Sequence, residues 1–227
     1  ASNFTGTLTL ACLGIGPSTL TSNARTLSGT ALTFSAAGGS WALADALLTT
    51  GRITLTQGTF SAATFNVTCA GFAANGGAAP TLTRGTGTWT ITGNDSGGSV
   101  WTVTSDVRMT AAQADTIKLT DATTNAKTFA GGGLVYNNLW LTGAGEGHFN
   151  ITGSNTFSNF KADTPPHTIV FTNGTTTTVA SFTVTGSAGN LFTLQSDVAG
   201  KVWNIARVSP FTQISSDYLS LRDSVAT

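Results

Sequence analysis

The sequence predicts an all-β fold, a parallel β-helix (β-solenoid) whose coils of about 20–23 residues stack on one another. Three observations predict it. Apolar and polar residues alternate over short stretches, clusters of Gly, Asn, Asp and Ser interrupt them roughly every ten residues, and inward-facing residues recur with a period of about 21. A β-sandwich explains the first two observations equally well and is the alternative, but it predicts no such period.

The predicted strands are the stretches with period-two alternation, such as "ITLT" (53–56), "TWTIT" (88–92) and "FTVT" (182–185). In each of them threonine alternates with Ile, Leu, Trp, Phe or Val. Because threonine is β-branched, it suits the solvated face of a strand, while the alternate apolar residues face a core. Only "WALADALL" (41–48) is predicted to form a short helix.

Two series of inward residues share one period. Leu139, Phe160 and Phe182 follow one another at two nearly equal steps along the chain. The second series has the same spacing and pairs Phe149 and Ile151 with Ile169 and Phe171, and then with Phe192 and Leu194. A shared period indicates coils that bury their inward residues against neighbouring coils. The repeat is less clear in residues 1–125.

Length and charge bound the fold and the partners. The chain has 227 residues, enough for one sizeable core, and no charged or Pro-rich linker divides it, so residues 1–227 are predicted to form one solenoid domain. Ten basic and ten acidic residues are spread singly. This pattern argues against nucleic acid or an anionic membrane as a partner, and no apolar run reaches the roughly 18 residues of a membrane span.

The composition favours an extracellular or virion surface. Thr, Gly, Ser, Ala and Asn dominate, whereas Glu146 and Met109 are the only residues of their types. Hydroxyls and amides must therefore supply solubility in place of charge. Cys12 and Cys69 allow either one disulfide or buried thiols, and the spacing does not decide between them.

Four segments of the sequence have a distinctive repeat-rich pattern: "TIKLTDATTNAKTFAGGG", "YNNLWLTGAGEGHFNITGSNTFSNF", "HTIVFTNGTTTTVASFTVTGSAGNLFTLQS" and "DYLSLRDSVAT". They resemble repeat-rich parts of bacteriophage proteins and of bacterial secreted or surface proteins. The resemblance covers roughly residues 50–227. It implies an extended β-solenoid within a longer surface or tail-associated polypeptide, and it carries no catalytic motif. Similar sequences often continue past "DSVAT", which implies that this chain is truncated, continues in a tail, or ends against another subunit. It is therefore expected to be a segment of a longer polypeptide or assembly.

Two glycine clusters are predicted to be bends. "GAGEG" (143–147) would need a following helix N-terminus to hold a phosphate, but "HFNITG" reads as a strand. We therefore expect a tight turn between strands, in which glycine tolerates positive φ. "AGGGL" (130–134) is interpreted in the same way.

No catalytic residue, metal site or cofactor is predicted. Metal, nucleotide and nucleophile motifs are missing from the sequence, and the carboxylates are scattered singly among predicted turns. The candidates are Asp95, Asp106, Asp115, Asp121, Glu146 and Asp163. His148 and His167 are interpreted as surface side chains. Because stacking can bring distant residues together, this spacing weakens an enzymatic function without eliminating it.

The alternation of side chains along a strand, which we call its parity, separates buried aromatic residues from those that face outward. Trp89, Trp101 and Trp203 share parity with core residues and are predicted to be buried. In "YNNLWLT" the inward positions are Leu139 and Leu141, which places other side chains on the outer face. These are Tyr136, Asn138, Trp140 and Thr142, then Asn159, Lys161 and Asp163 one coil later, Ser181, Thr183 and Thr185 on the next, and Tyr218, Ser220 and Arg222 beyond.

Tyr136, Asn138, Trp140 and Lys161 are the predicted binding residues, for a cell-surface glycan or a neighbouring subunit. The alternative for Trp140 is cover by a loop of its own chain. The expected function is a non-enzymatic structural or adhesive segment of a phage virion appendage or bacterial surface protein. Its expected partners are other virion or surface subunits, in a homo-oligomer such as a trimer.

Two rival functions share the fold. A glycan-cleaving tailspike would bring several acidic side chains into one groove. An ice-binding solenoid would align T-x-T motifs on one flat face, but the motifs here fall irregularly and Lys161 interrupts the face with the best register.

Overall fold

The computed structural model describes residues 6–10, 16–75, 78–110, 114–143, 145–165, 167–208 and 213–227. Within these ranges the strands pair in parallel and stack as a β-solenoid, which confirms the predicted parallel β-helix. The parallel pairing excludes the β-sandwich. The one helical segment in the described ranges is a 3₁₀ turn at Asp95–Gly97.

The strands of the described residues lie in three sheets, which we call A, B and C. In stacking order, sheet A contains β1 (Gly6–Leu10), β4 (Thr30–Phe34), β7 (Arg52–Leu55), β10 (Gly71–Ala74), β13 (Trp101–Val103), β16 (Lys127–Ala130), β18 (Phe149–Thr152), β20 (His167–Phe171), β22 (Phe192–Ser196) and β25 (Leu219–Leu221). Sheet B contains β2 (Ser18–Leu20), β5 (Ser40–Leu43), β8 (Thr59–Ser61), β11 (Thr81–Thr83) and β14 (Arg108–Met109).

Sheet C completes the solenoid. It contains β3 (Thr26–Leu27), β6 (Leu47–Thr49), β9 (Val67–Cys69), β12 (Thr88–Ile91), β15 (Thr116–Leu119), β17 (Val135–Leu141), β19 (Thr156–Ala162), β21 (Thr176–Thr185), β23 (Trp203–Arg207) and β26 (Ser224–Ala226). A further strand, β24 (Gln213–Asp217), pairs with the second half of β21.

Alternation of side chains builds the core as the sequence predicts. In β7, Ile53 and Leu55 are fully buried, while Arg52 and Thr54 are half-buried on the outer side. Trp89, Trp101 and Trp203 are buried as predicted. Each coil therefore presents one apolar row to the interior, and the next coil covers it.

The predicted ladder of Leu139, Phe160 and Phe182 is confirmed. These residues are direct register partners in β17, β19 and β21, and the rings of Phe160 and Phe182 stack 5.3 Å apart. The ladder continues to Ile117 in one direction and to Ile214 in the other.

The residues of the second predicted series face the core as predicted, but one of the predicted pairings between coils is wrong. Phe149 pairs with Ile169 as predicted, but Ile169 then pairs with Leu194, and Phe192 pairs with His167. This coil is longer than predicted, because it contains an extra turn that an antiparallel bridge between Ser187 and Asn190 closes. The register moves from one inward position to the next inward position, so every side chain keeps its face.

The helix predicted at 41–48 is wrong. This stretch forms the end of β5 and the start of β6, with Trp41, Leu43 and Leu47 buried. Asp45 shapes the corner between the two strands, because its carboxylate accepts the backbone N–H groups of Ser22 and Asn23. Pairing with neighbouring coils overrides the local helix propensity of Ala and Leu.

Coils of unequal length explain the weak repeat in the first half. In sheet A, Ile53 pairs with Phe72, and Phe72 pairs with Trp101. The coil from Phe72 to Trp101 is about half as long again as the coil before it, and it includes the 3₁₀ turn. A fixed period therefore cannot be read from residues 1–125, although the stacking is continuous.

In the second half, long strands turn a corner without a loop. The pairing of β17, β19 and β21 skips Asn137, Ser158 and Ala180, which occupy equivalent positions in successive coils. At this corner two consecutive residues face outward, so the in/out parity changes along a single strand. One strand thereby supplies two walls of the solenoid.

Candidate functional site

The candidate site is a strip on the outer face of sheet C, across β15, β17 and β19. Lys118, Trp140 and Lys161 are direct register partners there, and Asn138 and Asn159 lie beside them in the next row. The structure therefore brings together the predicted residues Asn138, Trp140 and Lys161. We call Lys118, Trp140 and Lys161, with Asp163 beside them, the Lys–Trp–Lys strip.

Trp140 has contacts on both sides of its ring. The ammonium nitrogen of Lys118 lies 4.0 Å from the ring centroid, and that of Lys161 lies 4.1 Å from it. One lysine comes from the preceding coil and one from the following coil. Trp140 is thus flanked by two lysine ammonium groups, one from each neighbouring coil.

Asp163 holds the strip together at its edge. Its Oδ1 accepts the indole N–H of Trp140 at 2.9 Å, and its Oδ2 lies 2.9 Å from the Lys161 ammonium. The ion pair is partly exposed, so by itself it stabilises the fold little. Its main effect is to orient the indole and one lysine relative to each other.

Tyr136 does not belong to this face, which corrects the sequence-based prediction. Its side chain is 1% exposed, packs against Phe129 and Phe157, and donates its hydroxyl hydrogen bond to the Gly131 carbonyl. The cause is the corner at Asn137, which changes the parity between Tyr136 and Leu139. Burial raises the pKa of the Tyr136 phenol well above its ordinary value.

A row of amides and hydroxyls runs beside the strip. The Asn159 amide donates to Asn138 Oδ1, and the Asn138 amide donates to Thr116 Oγ1 at 3.2 Å. The row continues to Ser181, which pairs with Asn159. This ladder presents polar groups to solvent one coil after another.

The outer face beyond the strip is predicted correctly for one coil and wrongly for the next. Thr183 pairs with Lys161 as predicted, and Ser215 of β24 pairs with Thr183. Tyr218, Ser220 and Arg222 lie instead at β25 or its borders, and β25 pairs with β22 in sheet A. The sequence places these three residues on the wrong sheet, because β24 already occupies the position next to β21.

The glycines of "GAGEG" lie in a connection between β17 and β18, as predicted for a bend, and Ala144 falls outside the described residues. The reason why glycine is required at these positions differs from the predicted one. None of Gly143, Gly145 and Gly147 has left-handed φ, but a Cβ on Gly147 would overlap the Asn125 carbonyl oxygen. The turns of successive coils stack too closely for a side chain. In "AGGGL", by contrast, Gly132 and Gly133 do have positive φ.

The candidate carboxylates are mostly engaged in turns. Asp95 accepts the backbone N–H and hydroxyl of Thr128, and Asp121 accepts the same two groups of Thr123. Burial raises the pKa of Asp121, but hydrogen bonds from Thr123 and Asn94 outweigh it and leave the pKa below its ordinary value. In the described ranges no group of three or more His, Cys, Asp or Glu side chains could hold a metal ion.

A polar pocket of about 230 Å³ opens at the corner between sheets C and A. It is lined by Arg52, Ala70, Gly71, Thr92, Gly93, Asn94, Ser96 and Asp121. The half-buried Arg52 guanidinium donates to the Ser99 carbonyl. The sequence does not reveal this pocket, because several coils contribute to it.

Inside the solenoid, Arg84 and Asp115 form an ion pair that sequence reasoning misses. The Arg84 guanidinium also lies 5.0 Å from the centre of the Tyr136 ring, and the Arg84 carbonyl accepts the Trp89 indole N–H. The two charged residues are 31 positions apart in the sequence. Only the stacked structure brings them together.

His167 is buried, whereas the sequence predicts a surface side chain; His148 is exposed as predicted. His167 begins β20 and packs between Phe149 and Phe192. Burial lowers its pKa, the backbone of Gly143 and Gly147 offsets part of this effect, and the charge of Lys127 adds to it. Lys127 is itself buried and donates to the Thr123 carbonyl.

Cys69 is a buried free thiol, and burial raises its pKa to about 12. Cys12 lies outside the described residues. Among the described residues, no helix has the length and apolar character that a transmembrane span requires.

Comparisons with protein-family models, with curated proteins and with solved structures found no match to this chain.

Proposed function

We propose that this chain is a non-enzymatic structural and adhesive β-solenoid segment of a phage virion appendage or of a bacterial surface protein. The observation that carries the proposal is the continuous stack of parallel coils with one internal aromatic and aliphatic core. Such a stack forms a stiff rod in which each coil is supported by its neighbours. Rods of this kind suit the transmission of force and the display of a binding face at a distance.

Apolar groups on the last coil of this sequence offer a surface to a further coil or to another subunit. Ile214 is 57% exposed and Leu221 is 58% exposed, although each continues a buried row of the core. They border an apolar pocket of about 180 Å³ that also contains Phe182 and Trp203. An exposed edge and apolar patch of this kind suits cover by a further coil or by another subunit, and a homotrimer is the expected oligomer.

The proposal is tested by locating this chain on intact virus particles or cells. Antibodies raised against the chain should label the outside of virions or cells of the source organism in immunogold electron microscopy. Antibodies against an internal protein of the same particle or cell serve as the matched control, because they should label only opened samples. Labelling that appears only after the particles or cells are opened would refute a surface role.

A glycan-depolymerising enzyme is the alternative, and the polar pocket is the observation that favours it. Asp121 and Arg52 both line this pocket, so a carboxylate and a cation border the same space, in which a sugar ring could fit. A fall in the viscosity of capsular polysaccharide would support this alternative if Asp121→Asn abolished it. Unchanged polysaccharide with the intact chain would support the structural function.

A further inference from the structure

The Lys–Trp–Lys strip cannot bind a sugar in the way that an exposed tryptophan usually does. Stacking of a sugar ring on an indole requires a free ring face. In Trp140 the ammonium groups of Lys118 and Lys161 lie over the ring from the coils on either side. The groups that the strip offers to a partner are therefore the two ammonium groups, and the indole holds them in place.

The positions of these charges are set by the fold. Lys118 and Lys161 lie two coils apart in the same column, so their strands are about 9.5 Å apart at the usual spacing of β-strands. Their ammonium nitrogens lie closer, at most about 8 Å apart, because both contact the Trp140 ring. Lysine side chains normally lose much rotamer freedom when they bind a ligand. Contact with Trp140 restricts both lysines in advance, so the strip loses less entropy on binding an anion.

The strip has more cations than anions. Lys161 forms an ion pair with Asp163, but the Lys161 side chain remains 42% exposed. Lys118 makes no salt bridge with any carboxylate in the described part of the chain. The strip therefore carries a net positive charge in a protein whose overall net charge is zero.

The neighbouring row supplies hydrogen-bonding groups suited to sugars. Asn138 and Asn159 form an amide ladder directly beside the strip, and Thr183 extends the lysine column by one coil. Amides and hydroxyls of this kind can form hydrogen bonds with sugar hydroxyls along the solenoid axis, parallel to the column of lysines. A ligand that matches both rows is a chain of sugars with negative charges at intervals, laid along the solenoid axis.

We propose that the Lys–Trp–Lys strip binds an acidic polysaccharide with one carboxylate per disaccharide, the carboxylates resting on Lys118 and Lys161. An ammonium separation of at most about 8 Å, with one ion-pair contact at each end, is comparable to the length of a disaccharide, so alternating acidic and neutral sugars fit it best. This inference names the ligand of the proposed adhesive face and rests on that proposed function.

The test is a binding titration of the whole chain by biolayer interferometry at low ionic strength. The probes are hyaluronan oligosaccharides, which have alternating uronates, together with polygalacturonate, neutral dextran and poly-L-glutamate. Lys118→Gln and Lys161→Gln should each weaken hyaluronan binding roughly tenfold or more, because each removes one charged contact. The matched control is Lys201→Gln, since Lys201 is exposed in the connection between β22 and β23. It should leave affinity unchanged.

Charge-preserving variants separate binding from folding. Lys118→Arg and Lys161→Arg should retain binding within about threefold, because a guanidinium keeps the charge and also stacks on an indole. Circular dichroism should show that every variant stays folded. The proposal is overturned if hyaluronan does not bind, if poly-L-glutamate or polygalacturonate binds more tightly than hyaluronan, or if Lys201→Gln weakens binding as much as Lys118→Gln. Failure of all probes together with surface labelling of the particle would reject this ligand and leave the proposed function standing.

Discussion

Arg84 and Asp115 lie 2.6 Å apart, Nε to Oδ2, with both side chains buried in the core of the solenoid. Removal of one partner leaves an uncompensated buried charge. We therefore expect Arg84→Met to lower the free energy of unfolding by about 3–5 kcal/mol, measured by urea denaturation. The double variant Arg84→Met/Asp115→Leu should be clearly more stable than Arg84→Met alone. Equal stability of the single and double variants would show that the pair is not coupled.

Phe182 and Thr183 are neighbours in β21 that face opposite sides. Phe182→Ala should lower the free energy of unfolding by roughly 3–5 kcal/mol, because it leaves a cavity between Phe160 and Ile214. Thr183→Ala, on the outer face, should change it by less than about 0.5 kcal/mol. Chemical denaturation of both variants measures the difference, and equal losses would contradict the assigned faces.

Gly147 and Gly174 test two different reasons for glycine. Gly147→Ala should cost about 3 kcal/mol or more, because the new Cβ would overlap the Asn125 carbonyl of the preceding coil. Gly174→Ala is the matched control, since Gly174 has positive φ but open space around its Cβ position. It should cost only about 1 kcal/mol, as judged from thermal and urea unfolding. A larger loss at Gly174 would mean that backbone conformation matters more than close stacking.

His167 should make stability depend on pH. Its pKa in the folded protein lies below the ordinary value of 6.5, so the unfolded chain binds the proton first as pH falls. The contribution of His167 is therefore complete above pH 6.5 and is lost as pH falls from there toward the folded pKa. Urea midpoints at pH 7.5 and pH 5 should differ more for the wild type than for His167→Phe. A wild type and variant with the same pH dependence would contradict this role.

Trp140 should contribute to stability as well as to binding. Because Trp140 lies outside the core, the sequence predicts that its mutation changes the stability of the fold little. The structure, however, shows contacts of Trp140 with two ammonium groups and with Asp163. Trp140→Ala should lower the free energy of unfolding by about 1–2 kcal/mol, because it removes two cation–π contacts. Trp140→Phe should lose about half as much. Urea denaturation of both variants measures the losses, and an unchanged stability of Trp140→Ala would show that the two contacts do not stabilise the fold.

The fold is predictable where coils have similar lengths. Nearly equal steps place Leu139, Phe160 and Phe182 in one ladder, because in this part of the chain equal steps reflect direct stacking. The coil between Ile169 and Leu194 contains an extra turn, so the same method aligns Phe192 with the wrong partner. Alternation identifies the buried face, whereas register also depends on turn lengths that local patterns do not specify.

The candidate site is predictable only in part. Parity places Asn138, Trp140 and Lys161 on the outer face correctly, but it fails at Tyr136, because parity changes at a corner inside the strand. Sequence reasoning misses Lys118, which lies one coil before Trp140. Which side chains lie next to one another on the outer face of a solenoid depends on how its coils stack. The sequence reveals these neighbours only once the register between the coils is known.

The loop-free corner of β17, β19 and β21 also determines where foreign peptides could be inserted for display. Asn137, Ser158 and Ala180 lie within continuous strands, so an insertion there would interrupt pairing with the coils above and below. The extra turn that the Ser187–Asn190 bridge closes instead lies in the connection between β21 and β22, where its residues are exposed and this chain already accommodates a longer coil. As a presentation scaffold, this molecule should therefore accept grafted epitopes at that turn and reject them at the corner.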